Sequence, residues 1–121
     1  MSNKDVSLSP QLQEQLLRLQ QLQQTLQVII SQRQQLELES SENDRALGEL
    51  EKMPEDGQVY KSIGSLLIKS EKKKLLDELR EKKELMATRI SVLTKQQSRT
   101  EERLKELQQE IQEKIKPSSG T

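Results

Sequence analysis

The chain has 121 residues, with 20 basic and 20 acidic side chains, a single aromatic residue and neither cysteine nor histidine. A third of the residues are charged, so no large compact core can be assembled; the Leu, Gln, Glu, Lys and Arg mixture with few glycines favours long helices or coiled coil. Balanced charge removes the electrostatic footprint of a nucleic-acid binder, and the missing cysteine and histidine exclude disulfides, thiolate or imidazole catalysis and the usual zinc sites.

Residues 1–9 carry no periodic pattern and are expected to form a flexible tail that opens without a signal-peptide apolar region. Ser9-Pro10 is a helix start: serine caps, and proline at the first helical position gives up a donor that has no partner there. A Leu/Gln-rich helix is expected over 10–53, stopped by Pro54, because the residue before proline is pushed out of helical geometry. Residues 54–69 read as a turn, Pro54-Glu55-Asp56-Gly57, followed by two short strands with Gly64 between them. Ser70 is the candidate cap of a second helix over 70–116, whose start is weakened by Lys72, Lys73 and Lys74 opposing the helix dipole. Lys114 and Lys116 suit its C-terminal end, and 117–121 form a second flexible tail. Helices of about 45 residues span roughly 65–70 Å each at ~1.5 Å per residue. No apolar run reaches the roughly 20 residues of a membrane span, so a cytoplasmic protein without a membrane partner is expected.

Both helices carry a seam of threes and fours. In the first it runs Leu22, Leu26, Ile29, Arg33, Leu36, Ser40, Asn43, Leu47 and Leu50. In the second it runs Leu76, Leu79, Lys83, Met86, Ile90, Leu93, Gln97, Thr100, Leu104, Leu107 and Ile111. Folding the chain about Ile63 pairs Leu50 with Leu76, Leu47 with Leu79, Asn43 with Lys83, Ser40 with Met86 and Leu36 with Ile90. Two seams and one turn thus agree on an antiparallel two-helix coiled coil. Above Leu22 two consecutive three-residue steps, Leu16 to Leu19 to Leu22, form a stammer. The helix ends beyond it are expected to zip poorly while staying apolar, through Leu8, Leu12, Leu16, Leu17 and Leu19 on one helix and Leu104, Leu107, Ile111 and Ile115 on the other.

The hairpin concentrates the remaining apolar residues: Val59, Tyr60, Ile63, Leu66, Leu67 and Ile68 around Gly64. A lone two-stranded hairpin is marginal in water and leaves strand edges unpaired. It is therefore expected to be an assembly joint, covered by strands of other chains rather than by its own.

Other signals read as ordinary surface. Lys72–Lys74 with Lys82 and Lys83 sit among Glu71, Asp77, Glu78 and Glu81, as on a solvated face. Glu78 to Lys82, Glu101 to Lys105 and Glu110 to Lys114 are helical pairs in the favourable orientation rather than metal or catalytic carboxylates. The glycines are too scattered for a phosphate loop, so no cofactor or metal is expected. Leu17, Val28, Leu38, Leu85 and Val92 fall off the seams, either as ordinary exposed apolar residues or as the lining of a client surface.

The order helix, hairpin, helix, with Val59-Tyr60-Lys61, Gly64 and Leu67-Ile68-Lys69 in the hairpin, resembles the β-type subunits of prefoldin, with a likeness to archaeal examples, over nearly the whole chain. A single hairpin matches the β type. The resemblance implies a mostly α fold in which the hairpins of several subunits build an intersubunit β-barrel. It further implies a hetero-oligomeric hexamer of two α-type and four β-type subunits, and coiled-coil arms that hold unfolded polypeptides near their tips for a group II chaperonin.

Two functions fit these residues. The first is an ATP-independent holdase that binds clients at the arm ends (Leu8, Leu12, Leu16, Leu17, Leu19, Leu107, Ile111, Ile115) and assembles through Val59, Tyr60, Ile63, Gly64, Leu66, Leu67 and Ile68. The second is a coiled-coil oligomerisation scaffold that binds no client. An enzyme is not expected, because a hairpin of helices offers no concave pocket.

Overall fold

The computed structural model describes residues 9–115. Leu8, Lys116 and the expected tails, apart from Ser9, lie outside the described residues. The element order is helix α1 (Pro10–Lys52), strand β1 (Val59–Ile63), strand β2 (Leu66–Ser70) and helix α2 (Lys72–Ile115), two long helices around one antiparallel hairpin. The chain divides into two units, one holding Gln32–Val92 and the other holding the residues up to Ser31 with those from Leu93 onward.

In the Gln32–Val92 unit, α1 ends on a tightened turn, with the Met53 amide donating to the Leu50 carbonyl at 3.1 Å. Pro54 then blocks continuation, and the Gly57 amide closes the next turn on the Pro54 carbonyl at 2.9 Å. The strands pair from Val59 opposite Ser70 to Ile63 opposite Leu66. Gly64 and Ser65 make the connection, with Gly64 at φ 59° and no positive φ at any other described residue. A positive φ at the first central position alone is the type II′ geometry, whose twist suits a hairpin. The strands are thus centred between Gly64 and Ser65, slightly past the Ile63 midpoint that the seams indicate. Unequal connections account for the offset: Met53–Gln58 lead into β1, whereas Glu71 alone leads from β2 into α2.

Ser70 does not cap α2. Its backbone is committed to the ladder opposite Val59, and the Glu71 carbonyl takes the first helical bond, from the Leu75 amide at 3.0 Å. On the seam, Asn43, Leu47, Leu50 and Met86 are buried, and Leu36, Ser40, Leu76, Leu79 and Ile90 are half-buried. Lys83 is the one exposed seam position; its ammonium pairs with Asp44 on the facing helix α1 at 3.4 Å, which keeps the charge at the solvent-exposed edge of the seam.

In the other unit, Ser9 caps α1 as expected: its hydroxyl accepts the Leu12 amide at 3.0 Å and its carbonyl accepts the Gln13 amide at 2.9 Å, a cap worth about 1 kcal/mol. Leu12, Ile29, Thr100, Leu107 and Ile111 are buried. The Thr100 hydroxyl donates to the Gln96 carbonyl of its own helix at 2.8 Å, so this polar seam residue is satisfied without a cross-helix partner. Among the described residues no buried side-chain nitrogen or oxygen lacks a hydrogen bond, and no helix is long and apolar enough to cross a membrane.

Candidate assembly and client-binding surfaces

Side chains alternate across a strand and directly paired residues share a face, so the register sorts the hairpin into two faces. Val59, Lys61 and Ile63 share one with Leu66, Ile68 and Ser70; Tyr60 and Ser62 share the other with Leu67 and Lys69. The first face turns toward the helices at its base. Val59 is only 6% exposed and lines one groove with Ala46, Leu50, Leu75 and Leu79. The Lys61 ammonium reaches the Glu78 carboxylate on α2 at 3.0 Å. Val59 is therefore covered by its own chain, contrary to the expectation that the whole hairpin waits for partner strands. Glu78 is engaged with Lys61 rather than with Lys82, because the hairpin brings β1 over α2.

Beyond that base the hairpin is open. Ile63, Leu66 and Ile68 on the first face and Tyr60 and Leu67 on the second are all exposed, Leu67 by 72%. Five large apolar side chains on a ten-residue ladder, none covered within the chain, form a surface of the kind that marks an interaction site.

A lysine expected on the solvated face of the second helix instead fastens the hairpin's base. The Lys72 ammonium donates to the Met53 carbonyl at 2.6 Å and to the Glu51 carbonyl at 3.4 Å, with the Glu55 carboxylate 3.7 Å away. Its side chain is only 11% exposed, so Lys72 does not belong to the solvated face on which Lys73, Lys74 and Lys82 lie exposed. At the start of α2 it opposes that helix's dipole, but it also sits at the C-terminal end of α1, where free carbonyls and dipole both favour a cation. The signal for it was the pairing about Ile63, which sets the start of α2 beside the end of α1.

The arm-end residues divide between a packed cluster and an exposed remainder. Leu12, Leu107 and Ile111 make a buried cluster, with Leu16, Leu19 and Leu22 packed against it. The expectation of poorly zipped ends is corrected here: α1 is continuous through the stammer and both helices stay in contact. Three nearly buried aliphatic side chains contribute roughly 1.5–3 kcal/mol each, enough to hold a locally overwound turn. A polar bridge flanks the cluster: the Gln15 amide donates to Glu110 at 3.2 Å and accepts from the Lys114 ammonium at 2.9 Å. Of the proposed client-contact residues, Leu17 and Ile115 are exposed, Leu16 and Leu19 are half-buried, and Leu8 lies outside the described residues. Off the seams, Val28, Leu38, Leu85 and Val92 are also exposed.

Residues 13–118 match the model of the family described as prefoldin subunit. The chain belongs to the prefoldin β-subunit family. It is 41% identical over 114 residues to the prefoldin subunit beta of Thermococcus onnurineus, covering 94% of this chain and 98% of that one. It is 42% identical to that of Archaeoglobus fulgidus over 93% of this chain and 97% of the relative. The crystal structure of the prefoldin beta subunit from Thermococcus strain KS-1 superposes with a TM-score of 0.82 at 40% identity, covering 92% of this chain and 97% of that one. The beta2 subunit from the same strain gives 0.67 at 25% identity, over 75% and 97%. Prefoldin subunits are chaperones rather than enzymes, and they work in hetero-oligomers with other prefoldin subunits.

Proposed function

We propose that this chain is the β-type subunit of an ATP-independent holdase that binds unfolded or nascent polypeptides through the ends of its helices. The complex passes them to a group II chaperonin in the cytoplasm. The assembly is a hexamer of two α-type and four β-type subunits, joined through a barrel built from hairpins. The observation that carries the assembly half of this reading is the set of exposed side chains Tyr60, Ile63, Leu66, Leu67 and Ile68, which a single chain leaves uncovered.

The client half rests on the helix ends. Leu17 and Ile115 are exposed in the same unit as the Leu12, Leu107 and Ile111 cluster. Helix ends fray, and long helices draw their stability from packing, so opening of the last turns adds the clustered leucines to the available apolar surface. Each contact is weak, and several arms acting on one client supply avidity. The burial of that cluster is also what a scaffold without clients would show. The deciding experiment is suppression of aggregation of a chemically denatured client by the reconstituted complex without nucleotide. Full-length complex should suppress it, and complex lacking residues 1–19 and 105–121 should not. Equal suppression by both would move the client site to the faces bearing Val28, Leu38, Leu85 and Val92. No suppression by the full-length complex would leave the scaffold.

A further inference from the structure

We infer that Val59 and Lys61 are positioning residues: they clamp the hairpin to the helix pair at one angle and so set the direction in which the helices leave the assembled body. The inference rests on the reading of the hairpin as the assembly joint. When partner strands hold the hairpin, the direction of the helices follows from the angle at which helices and hairpin meet. The covalent connections do not fix that angle by themselves. Glu71 alone joins β2 to α2, and Met53–Gln58 join α1 to β1; every non-proline residue there has two soft dihedrals. The Lys72 ammonium on the Met53 and Glu51 carbonyls ties the helix ends to each other and not to the strands. The two helices therefore turn about Glu71 together.

Two noncovalent contacts remove that freedom. Val59 and Lys61 are two apart on β1 and so share a face. Val59 is buried against Ala46, Leu50, Leu75 and Leu79, and the Lys61 ammonium meets the Glu78 carboxylate at 3.0 Å. Ile63, the next residue on that face, is 49% exposed, so the strand touches the helices over two residues and then parts from them. Two contacts away from the pivot fix an angle that one would leave to swing. They differ in kind. Burial of Val59 supplies most of the hold. The ion pair joins two half-exposed side chains and adds little strength, but it adds direction: Glu78 and Glu81 line one groove with Lys61, and the ammonium is engaged with Glu78. The leverage is large, since a swing of about 10° at Glu71 displaces Arg89, ~27 Å along α2, by roughly 5 Å.

The chain has no cysteine, which makes site-directed spin labelling direct. Labels at Ser65→Cys, in the hairpin turn, and Arg89→Cys, exposed on α2, report the angle as one intrachain distance when labelled chains are diluted into unlabelled complex. Arg89→Cys alone, undiluted, reports the spacing between copies. The unsubstituted sequence should give one narrow intrachain distance. Val59→Thr with Lys61→Glu keeps a β-branched residue in the strand but puts a hydroxyl into the apolar groove and a like charge against Glu78 and Glu81. That chain should lengthen and widen the intrachain distribution and widen the spacing between copies, with the mass by light scattering unchanged. Lys61→Glu alone should reduce the population at the original distance by up to about fivefold, and adding Glu78→Lys should restore it. A contact that only adds stability would move the melting temperature and leave the distance in place. An unchanged intrachain distance in either variant, or a charge exchange that restores nothing, would overturn the proposal, as would a changed intrachain distance with unchanged spacing between copies. If the Val59→Thr, Lys61→Glu chain does not assemble, its intrachain distance is read on the full-length chain alone, and Lys61→Glu in the complex carries the spacing test. Failure of the joint itself is read separately, as a wild-type mass for the Ile68→Asp complex.

Discussion

The Lys72 ammonium lies 2.6 Å from the Met53 carbonyl oxygen, so the first turn of α2 closes the last turn of α1. Charge-assisted bonds to a helix C-terminus in a partly buried setting are worth roughly 1–2 kcal/mol. Lys72→Met, which keeps the stem and loses the charge, should therefore lower the stability of the reconstituted complex by about that amount. Lys73→Met, at an exposed position, should change it by less than about 0.5 kcal/mol. Thermal unfolding by circular dichroism at fixed protomer concentration reads both; equal effects would assign no capping role to Lys72.

Two glycines should respond in opposite directions to alanine. A Cβ added at either Gly48 or Gly64 meets nothing within 4 Å, so sterics do not separate them. Gly64 holds φ at +59°, a conformation that costs an L-residue roughly 1–2 kcal/mol, and Gly64→Ala should destabilise the hairpin and with it the oligomer. Gly48 lies inside α1, where alanine is better than glycine by up to ~1 kcal/mol. Gly48→Ala should raise the melting temperature, and a fall would show that this stretch of α1 needs glycine for a contact made in the assembly.

Ile68 is exposed on the ladder opposite Lys61, on the face that the chain's own helices cover only at its base. Ile68→Asp puts a charge on the face proposed to receive partner strands and should convert the complex to smaller species, while far-UV helicity largely survives. Light scattering that returns the wild-type mass would count against the hairpin as the joint. Leu67→Ser tests the opposite face independently, and loss of assembly there as well would show that both faces are covered.

At the helix ends, burial separates stability from surface. Ile111→Ala removes a side chain that is 5% exposed and should cost on the order of 2–4 kcal/mol at that end, seen as faster hydrogen exchange over the surrounding turns. Ile115→Ser removes one that is 55% exposed and should leave exchange unchanged while weakening client holding. If Ile111→Ala leaves exchange unchanged, the cluster is not what holds the ends together.

The sequence by itself determined the secondary structure, the direction of the second helix and the seam. Heptad spacing, Ser9-Pro10, Pro54 and Gly64 are local signals, and each acts through the backbone geometry of its own segment. Leu47, Leu50 and Met86 are buried because their spacing keeps them on one stripe, which no distant residue needs to specify. The exposure of Leu17, Val28, Leu38, Leu85 and Val92 followed from the same spacing. The hairpin's apolar content was legible too, as was the family likeness.

Tertiary structure decided the features that depend on which segments meet. Val59 has the same apolar character as Leu67, but strand alternation and its place at the base of the hairpin put Val59 against the helices and leave Leu67 in the open. Lys72 read as an unfavourable charge on its own helix and became a favourable one at the end of another, since the sign of a dipole interaction depends on which terminus is nearer. Glu78 had a good partner four residues on and took Lys61 instead. The stammer marked the ends as mismatched, yet Leu12, Leu107 and Ile111 packed together, because burial of three aliphatic side chains outweighs a local change of twist. In each case the deciding energy belongs to a pair of residues brought together by the fold, and neither member carries it alone.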